Sequence, residues 1–174
     1  MEIGEVLITA EEIDAKLTEM GAAITRDYKD KDLLLIGILK GAFVVMADLS
    51  RHIDLPVEFD FMAVASYGSA TKSSGVVRIL KDLDQEIAGR HVLIVEDIVD
   101  TGLTLQYLLK NLEVRKPESL ALAALLIKDG IDRPHLDVKY EGFHIPPKFV
   151  VGYGLDYDGK YRNLPYVAVM DDSE

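Results

Sequence analysis

A chain of 174 residues, 49% of them apolar, can bury one sizeable core but has no room for a second large domain. Its formal charge of −11 argues against a general nucleic-acid binder, which holds phosphate backbones with surplus Lys and Arg. The absence of cysteine excludes disulfides, a thiol nucleophile and thiolate-bound zinc, and it suits a reducing cytoplasm.

The opening Met1-Glu2-Ile3-Gly4-Glu5 lacks the basic start of a signal peptide, and no apolar run approaches the ~20 residues that span a membrane. A soluble, cytoplasmic protein is expected. Thr9-Ala10-Glu11-Glu12 has the form of a capping box, and Ile13, Leu17, Met20 and Ile24 continue at helical spacing, predicting a helix over about 10–28. Leu33 to Leu39 is an apolar strand ending in Lys40-Gly41; Ala42 to His52 reads as a helix, and Val57 to Ala65 as a strand after Pro56. Ser66 to Gly75, small and polar apart from one Tyr and one Lys, is a mobile loop by composition, with Val76 to Leu80 returning from it as a strand. Asp84 to Arg90 is a turn, Leu120 to Lys128 a strand, Asp129 to His144 irregular, and Phe149–Tyr153 and Tyr166–Met170 the last strands. Alternation of strand and helix favours a mainly parallel sheet flanked by helices, with no internal repeat and no linker.

The segment from Val92 to Thr104 carries the chemistry. Val92 to Val95 is the β-branched, apolar run of a strand covered on both faces. Glu96 and Asp97 follow at its carboxyl end, where open α/β sheets bind ligands. Asp100-Thr101-Gly102-Leu103-Thr104 then leads into a helix marked by Leu105, Leu108, Leu109 and Leu112. Gly102 allows close backbone approach, while Thr101, Thr104 and the free N–H groups of the first helical turn suit an anion. Three carboxylates beside such a loop would repel a bare phosphate, so they address hydroxyl groups, a divalent cation or a proton. A phosphorylated sugar meets all three needs. The bland alternative is a helix N-cap cluster, since Asp and Thr are also preferred caps. His52, His91, His135 and His144 show no metal-ligand spacing.

Val-Leu-Ile-Val-Glu-Asp-Ile-Val-Asp-Thr-Gly-Leu-Thr resembles the phosphoribosyl-diphosphate signature of type I phosphoribosyltransferases. From about Leu33 to Met170 the motif order is similar to that of their hypoxanthine-guanine branch. The resemblance implies a single domain over 1–174 with a mainly parallel central sheet flanked by helices. It also implies a small hood formed by the N-terminal residues and about 129–174, and a flexible active-site loop at about 66–80. The implied reaction is displacement of pyrophosphate from phosphoribosyl diphosphate by hypoxanthine or guanine.

Site residues follow from the same resemblance. Lys40-Gly41 matches the pyrophosphate-binding loop, whose Lys-Gly peptide can be cis. Ser66 and Tyr67 match the loop that closes over the site and excludes water. Glu96 and Asp97 would hold ribose hydroxyls and stand near the metal. Asp100 would be the general base, with Thr101, Gly102, Leu103 and Thr104 around the 5′-phosphate. Lys128, a donor only, would select an oxo group over the amino group of adenine. Phe149 would stack on the purine and the Val150 backbone read its edge. Asp156 would bind a magnesium ion (Mg2+) bridging to pyrophosphate, which Arg162 would also contact. Relatives form dimers or tetramers. Leu103 stands where some members carry lysine, and Asp129-Gly130 departs from the more basic run of some relatives. Two rivals are weighed beside this reading: a regulator of the same fold that senses phosphoribosyl diphosphate, and an aspartyl-phosphate phosphatase. The phosphatase would want two aspartates one residue apart, whereas two residues separate Asp97 from Asp100.

Overall fold

The computed structural model describes residues 1–67 and 76–171. The elements run β1 (Glu2–Ile8), α1 (Ala10–Asp27), β2 (Leu33–Leu39), α2 (Ala42–Ser50), β3 (Val57–Tyr67), β4 (Val76–Lys81), β5 (His91–Val99), α3 (Leu103–Glu113), β6 (Ser119–Lys128), β7 (Tyr140–Ile145), β8 (Val150–Val151) and β9 (Val167–Asp171). They form a six-stranded sheet of order β4-β3-β2-β5-β6-β7 and a three-stranded sheet of order β1-β9-β8. The larger sheet is parallel except for β4, which runs antiparallel to β3. A mainly parallel sheet flanked by helices is the architecture expected from the sequence.

Period-two burial explains the layering. Leu33, Leu35, Leu93 and Val95 join one core cluster with Ile13, Leu17, Met20 and Ile24 of α1 and Val45, Met46 and Leu49 of α2. The intervening Leu34, Ile36, Val92 and Ile94 join a second cluster with Leu105, Leu108 and Leu112 of α3. The smaller sheet is not a separate body, because Ile8, Val150, Val167 and Val169 belong to the first cluster. The capping box of α1 is present: Thr9 Oγ1 accepts from the Glu12 N–H at 3.2 Å, and Glu12 Oε1 accepts from the Thr9 N–H at 3.2 Å.

Several boundaries differ from expectation, each for a local reason. β1 has no counterpart in the sequence reading, since most of its side chains are exposed and two register shifts interrupt its pairing with β9. β3 runs on through Ser66 and Tyr67, so the expected loop does not begin there; the rest of that loop, 68–75, lies outside the described residues, and with it any closing motion. α2 stops at Ser50 because turn-type bonds from the Arg51 and His52 N–H groups to Asp48 and Leu49 tighten its end. β5 continues to Val99, which carries Glu96 and Asp97 within the strand. β7 occupies the end of a stretch read as irregular. β8 spans only two residues because the chain turns at Gly152 (φ +95°) and Tyr153 (φ +50°).

From β2 the chain crosses to β3 through α2 on one face, and from β5 it crosses to β6 through α3 on the other. The crevice between β2 and β5 is therefore a topological switch point, where open α/β sheets place ligands beyond the carboxyl ends of their strands. Lys40-Gly41 and Glu96 to Thr104 both emerge there.

Candidate active site

Two cavities of about 170 Å³ each open at this switch point. The first is walled by Glu96, Asp100, Thr101, Gly102 and Thr104 over an apolar floor of Ile38, Val99, Leu105 and Leu108. The second is walled by Asp97, Asp100, Lys128, Phe149, Val150, Leu155, Asp156 and Arg162. Ile98 and Asp100 line both, so the Asp100 carboxylate stands at their junction.

The first cavity has the make-up of an anion site. Gly102 adopts φ +75°, a left-handed conformation that leads directly into the first turn of α3 with no side-chain cap, leaving N–H donors unclaimed. Leu103 is the first residue of that helix and offers its backbone, not a cation. The alternative of an N-cap cluster is not what forms: α3 has Gly102 as its N-cap, and neither Asp100 nor Thr101 caps it.

The second cavity is a seam between the two sheets. A Cβ on Gly41 would lie 1.9 Å from Asp97 Oδ2, and one on Gly154 (φ +95°) would lie 2.2 Å from the Gly41 carbonyl oxygen. The loops after β2 and β8 thus cross in backbone contact beside a carboxylate, which only glycine at both positions permits. Tyr153 anchors this crossing by donating its hydroxyl to Asp48 of α2. Among the described residues the cis peptide bond joins Leu39 to Lys40. The expected cis Lys40–Gly41 bond is corrected accordingly: Gly41 is the N-cap of α2 with ordinary right-handed helical angles, and the unusual bond precedes Lys40. Lys40 itself is exposed at the mouth of the crevice.

Lys128 and Asp100, 28 residues apart in sequence, meet at 3.1 Å between Nζ and Oδ2. Lys128 is 12% exposed and Asp100 49%, so the ammonium is presented from the wall and the carboxylate faces the opening. Phe149 is 46% exposed and meets the Tyr157 ring edge-on at 5.9 Å, which leaves an aromatic face free at the cavity rim. Val150 is buried in β8 behind it. Arg162 donates to the Gly154 carbonyl at 2.6 Å and pairs with Asp156 at 3.2 Å; Asp156 also accepts from the Gly159 N–H at 2.8 Å.

Glu96 and Asp97 are not brought together. Adjacent strand residues point to opposite faces, and Glu96 lines the loop cavity while Asp97 lines the seam beside Asp156. Burial pushes the Glu96 carboxyl well above its ordinary range, with the Asp97 charge adding to it. Burial likewise pushes Asp97 up to about 6, against the backbone N–H groups of Ile98 and Asp97 and the Arg162 charge, which pull it down; the Asp156 charge raises it further. Among the described residues no three His, Cys, Asp or Glu side chains form a cage for a metal. Asp97 and Asp156 on one cavity wall fit the alternative donor set: a magnesium ion that brings ligand oxygens and waters of its own.

These shifts set a pH dependence. A carboxyl whose folded pKa lies above its unfolded value binds its proton more tightly in the native state, so stability declines as pH rises from about 4 through about 6. His144, raised by its bonds to Glu141 and Asp129, contributes with the same sign. The ligand-free protein is expected to melt several degrees lower at pH 7 than at pH 5, with Asp97 contributing about 1–3 kcal/mol of that loss. Scanning calorimetry on Asp97→Asn checks this: the variant flattens the slope, and a slope equal to the parent's removes Asp97 from the account.

Arg133 was missed by the sequence reading. It donates from Nη1 to the Val99 carbonyl at 3.2 Å and from Nη2 to the Lys128 carbonyl. Its partners are backbone atoms on two other elements, so no local pattern announces it. Ser66 and Tyr67 end β3 on the far side of β2 from β5, with their backbone paired to Val77 and Val76 of β4.

Comparison with known proteins gives concordant results. Residues 8–158 match the model of the phosphoribosyl transferase domain family. The chain is 56% identical over 176 residues to a hypoxanthine-guanine phosphoribosyltransferase of Mycobacterium avium, covering 98% of this chain and 87% of that protein. It is 50% identical over 169 residues to the enzyme of the same name from Bacillus subtilis, covering 97% of this chain and 94% of the other. The crystal structure of a hypoxanthine phosphoribosyltransferase from Staphylococcus aureus superposes with a TM-score of 0.94 at 46% identity, covering 97% of this chain and 92% of that one.

Proposed function

The chain belongs to the phosphoribosyl transferase family, and on that premise we propose that it transfers the 5-phosphoribosyl group of phosphoribosyl diphosphate to hypoxanthine or guanine. The products are IMP or GMP and pyrophosphate, which makes it a glycosyltransferase of purine salvage. The observation that carries this reading is Asp100 at the junction of two cavities, with Lys128 at 3.1 Å.

A 6-oxopurine presents an acceptor, the C6 oxygen, beside a donor, the N–H at position 7. Lys128 and Asp100 present the complementary pair, a donor beside an acceptor. Adenine would set its 6-amino group against the ammonium. As the purine ring nitrogen bonds to the anomeric carbon, the bond from that carbon to pyrophosphate breaks and pyrophosphate leaves with the electron pair. The ring proton passes to or is shared with the Asp100 carboxylate. Phe149 stacks on the base and the Val150 backbone reads its far edge. Thr101, Gly102, Leu103 and Thr104 hold the 5′-phosphate, with Glu96 toward the sugar from the loop side and Asp97 from the seam side. Lys40, Gly41 and Arg162 face the pyrophosphate, and Ser66 and Tyr67 border it. Asp156, with Asp97 nearby, would hold a magnesium ion, which would supply neutralisation of the charge on the departing pyrophosphate.

The three-stranded sheet serves as the hood over the base, in a single domain. A cytoplasmic placement suits a chain without cysteine, in which no described helix is long and apolar enough to cross a membrane. The exposed apolar side chains Phe43 of α2 and Phe59 of β3 support assembly as a homodimer or homotetramer. A sensor of phosphoribosyl diphosphate would have no need of the base cavity at Lys128 and Phe149. The test is to incubate the purified chain with labelled phosphoribosyl diphosphate, magnesium and each of hypoxanthine, guanine and adenine, then separate the nucleotides. Label in IMP and GMP but not AMP is the expected result; binding of the donor without nucleotide from any base would favour the sensor.

A further inference from the structure

Reading of the purine edge depends on the 3.1 Å spacing of Asp100 and Lys128. Val99 and Ile127 are the last registered pair between β5 and β6. Beyond them β6 continues against β7, with Lys128 opposite Ile145, while β5 turns away into the phosphate loop. The two strands fork at the point where the catalytic pair is carried. The Val99 and Lys128 carbonyls stand at that fork, and the Arg133 guanidinium donates to both. One carbonyl belongs to the residue before Asp100, the other to Lys128 itself. The same irregular segment also roofs the loop: a Cβ on Gly102 would meet Leu136 Cδ1 at 2.6 Å and Arg133 Cδ at 4.0 Å. Arg133 is not among the described residues that line either cavity.

We propose that Arg133 is a positioning residue that bridges the ends of β5 and β6 and so holds Asp100 and Lys128 at the spacing that reads the oxo and N–H edge of the purine. The inference rests on the transferase reading. A planar guanidinium can reach two carbonyls at once, whereas an ammonium on a flexible stem is a point donor that satisfies one at a time. Without the bridge the fork relaxes, and a shift of a fraction of an ångström falls on base recognition before it falls on the donor's phosphate contacts.

The test compares the parent chain with Arg133→Met and Arg133→Lys, measuring kcat, KM for hypoxanthine, KM for phosphoribosyl diphosphate, use of adenine, and thermal melting. Arg133→Met is expected to raise KM for hypoxanthine about 10-fold and to erode the preference over adenine, with KM for phosphoribosyl diphosphate within about 2-fold of the parent. Arg133→Lys is expected to fall between the two. An equal loss for every substrate, tracking a lower melting temperature with the base preference intact, would make Arg133 merely structural and overturn the proposal. If Arg133→Met does not fold, Arg133→Lys decides: a selective rise in KM for hypoxanthine sustains the proposal, and parental constants end it. An inactive parent overturns the transferase reading and this inference with it, whereas an active parent with unchanged variants overturns the inference alone.

Discussion

Asp100→Asn is expected to lower kcat by about 10²- to 10⁴-fold, the range a positioned general base supplies, while phosphoribosyl diphosphate binds nearly as before. Asparagine keeps the shape and one acceptor oxygen but cannot take the ring proton. It also removes the charge that pairs with Lys128 at 3.1 Å. The contacts proposed for the donor's phosphate lie elsewhere, on the Thr101 to Thr104 backbone and hydroxyls at the start of α3. Steady-state kinetics alongside equilibrium dialysis of phosphoribosyl diphosphate separates the two effects. Turnover equal to the parent's in a folded variant would remove Asp100 from the chemistry.

The second large effect is on choice of base. Lys128→Ala is expected to reduce discrimination of hypoxanthine over adenine on the order of 10²-fold, because the site loses the donor that a 6-oxo group satisfies and a 6-amino group cannot. The ammonium is nearly enclosed, so its loss also leaves a gap in the cavity wall that water fills. The ratio of kcat/KM values for the two bases is the measurement, with thermal melting as the control for folding. Discrimination equal to the parent's would sink the assignment.

Local patterns account for what could be read before the fold was seen. The capping box at Thr9 and Glu12, the apolar run of β5 and the helical spacing after Leu103 are each complete within about a dozen residues, and each forms as read. β7 lies at the end of a stretch read as irregular, and it contains Gly142. In the fold that glycine sits where a Cβ would lie 2.2 Å from the Leu125 carbonyl oxygen, so it marks close approach of strands. The exposed, irregularly paired β1 offers no apolar alternation to find. Of the site, the glycine-bearing loop that leads into α3 was legible from its own residues. Lys128, Phe149, Asp156 and Arg162 became legible only through family resemblance, since nothing near them in sequence says that they converge on Asp100. The Arg133 bridge and the meeting of Gly41 with Gly154 depend on backbone atoms brought together by topology, and residue types do not encode them.

The alternation of side chains along β5 turns a strand into a partition. Apolar residues up to Val95 fill the two cores, and the next two positions deliver one acid to each side of the wall. Such a partition counts residues. Exchanging one β-branched side chain for another between Val92 and Val95 alters packing by small increments, but inserting or deleting a single residue before Glu96 would turn every later side chain to the opposite compartment. This stretch therefore tolerates drift in composition and none in length, and a lineage that gained or lost one residue there would have to rebuild both compartments together.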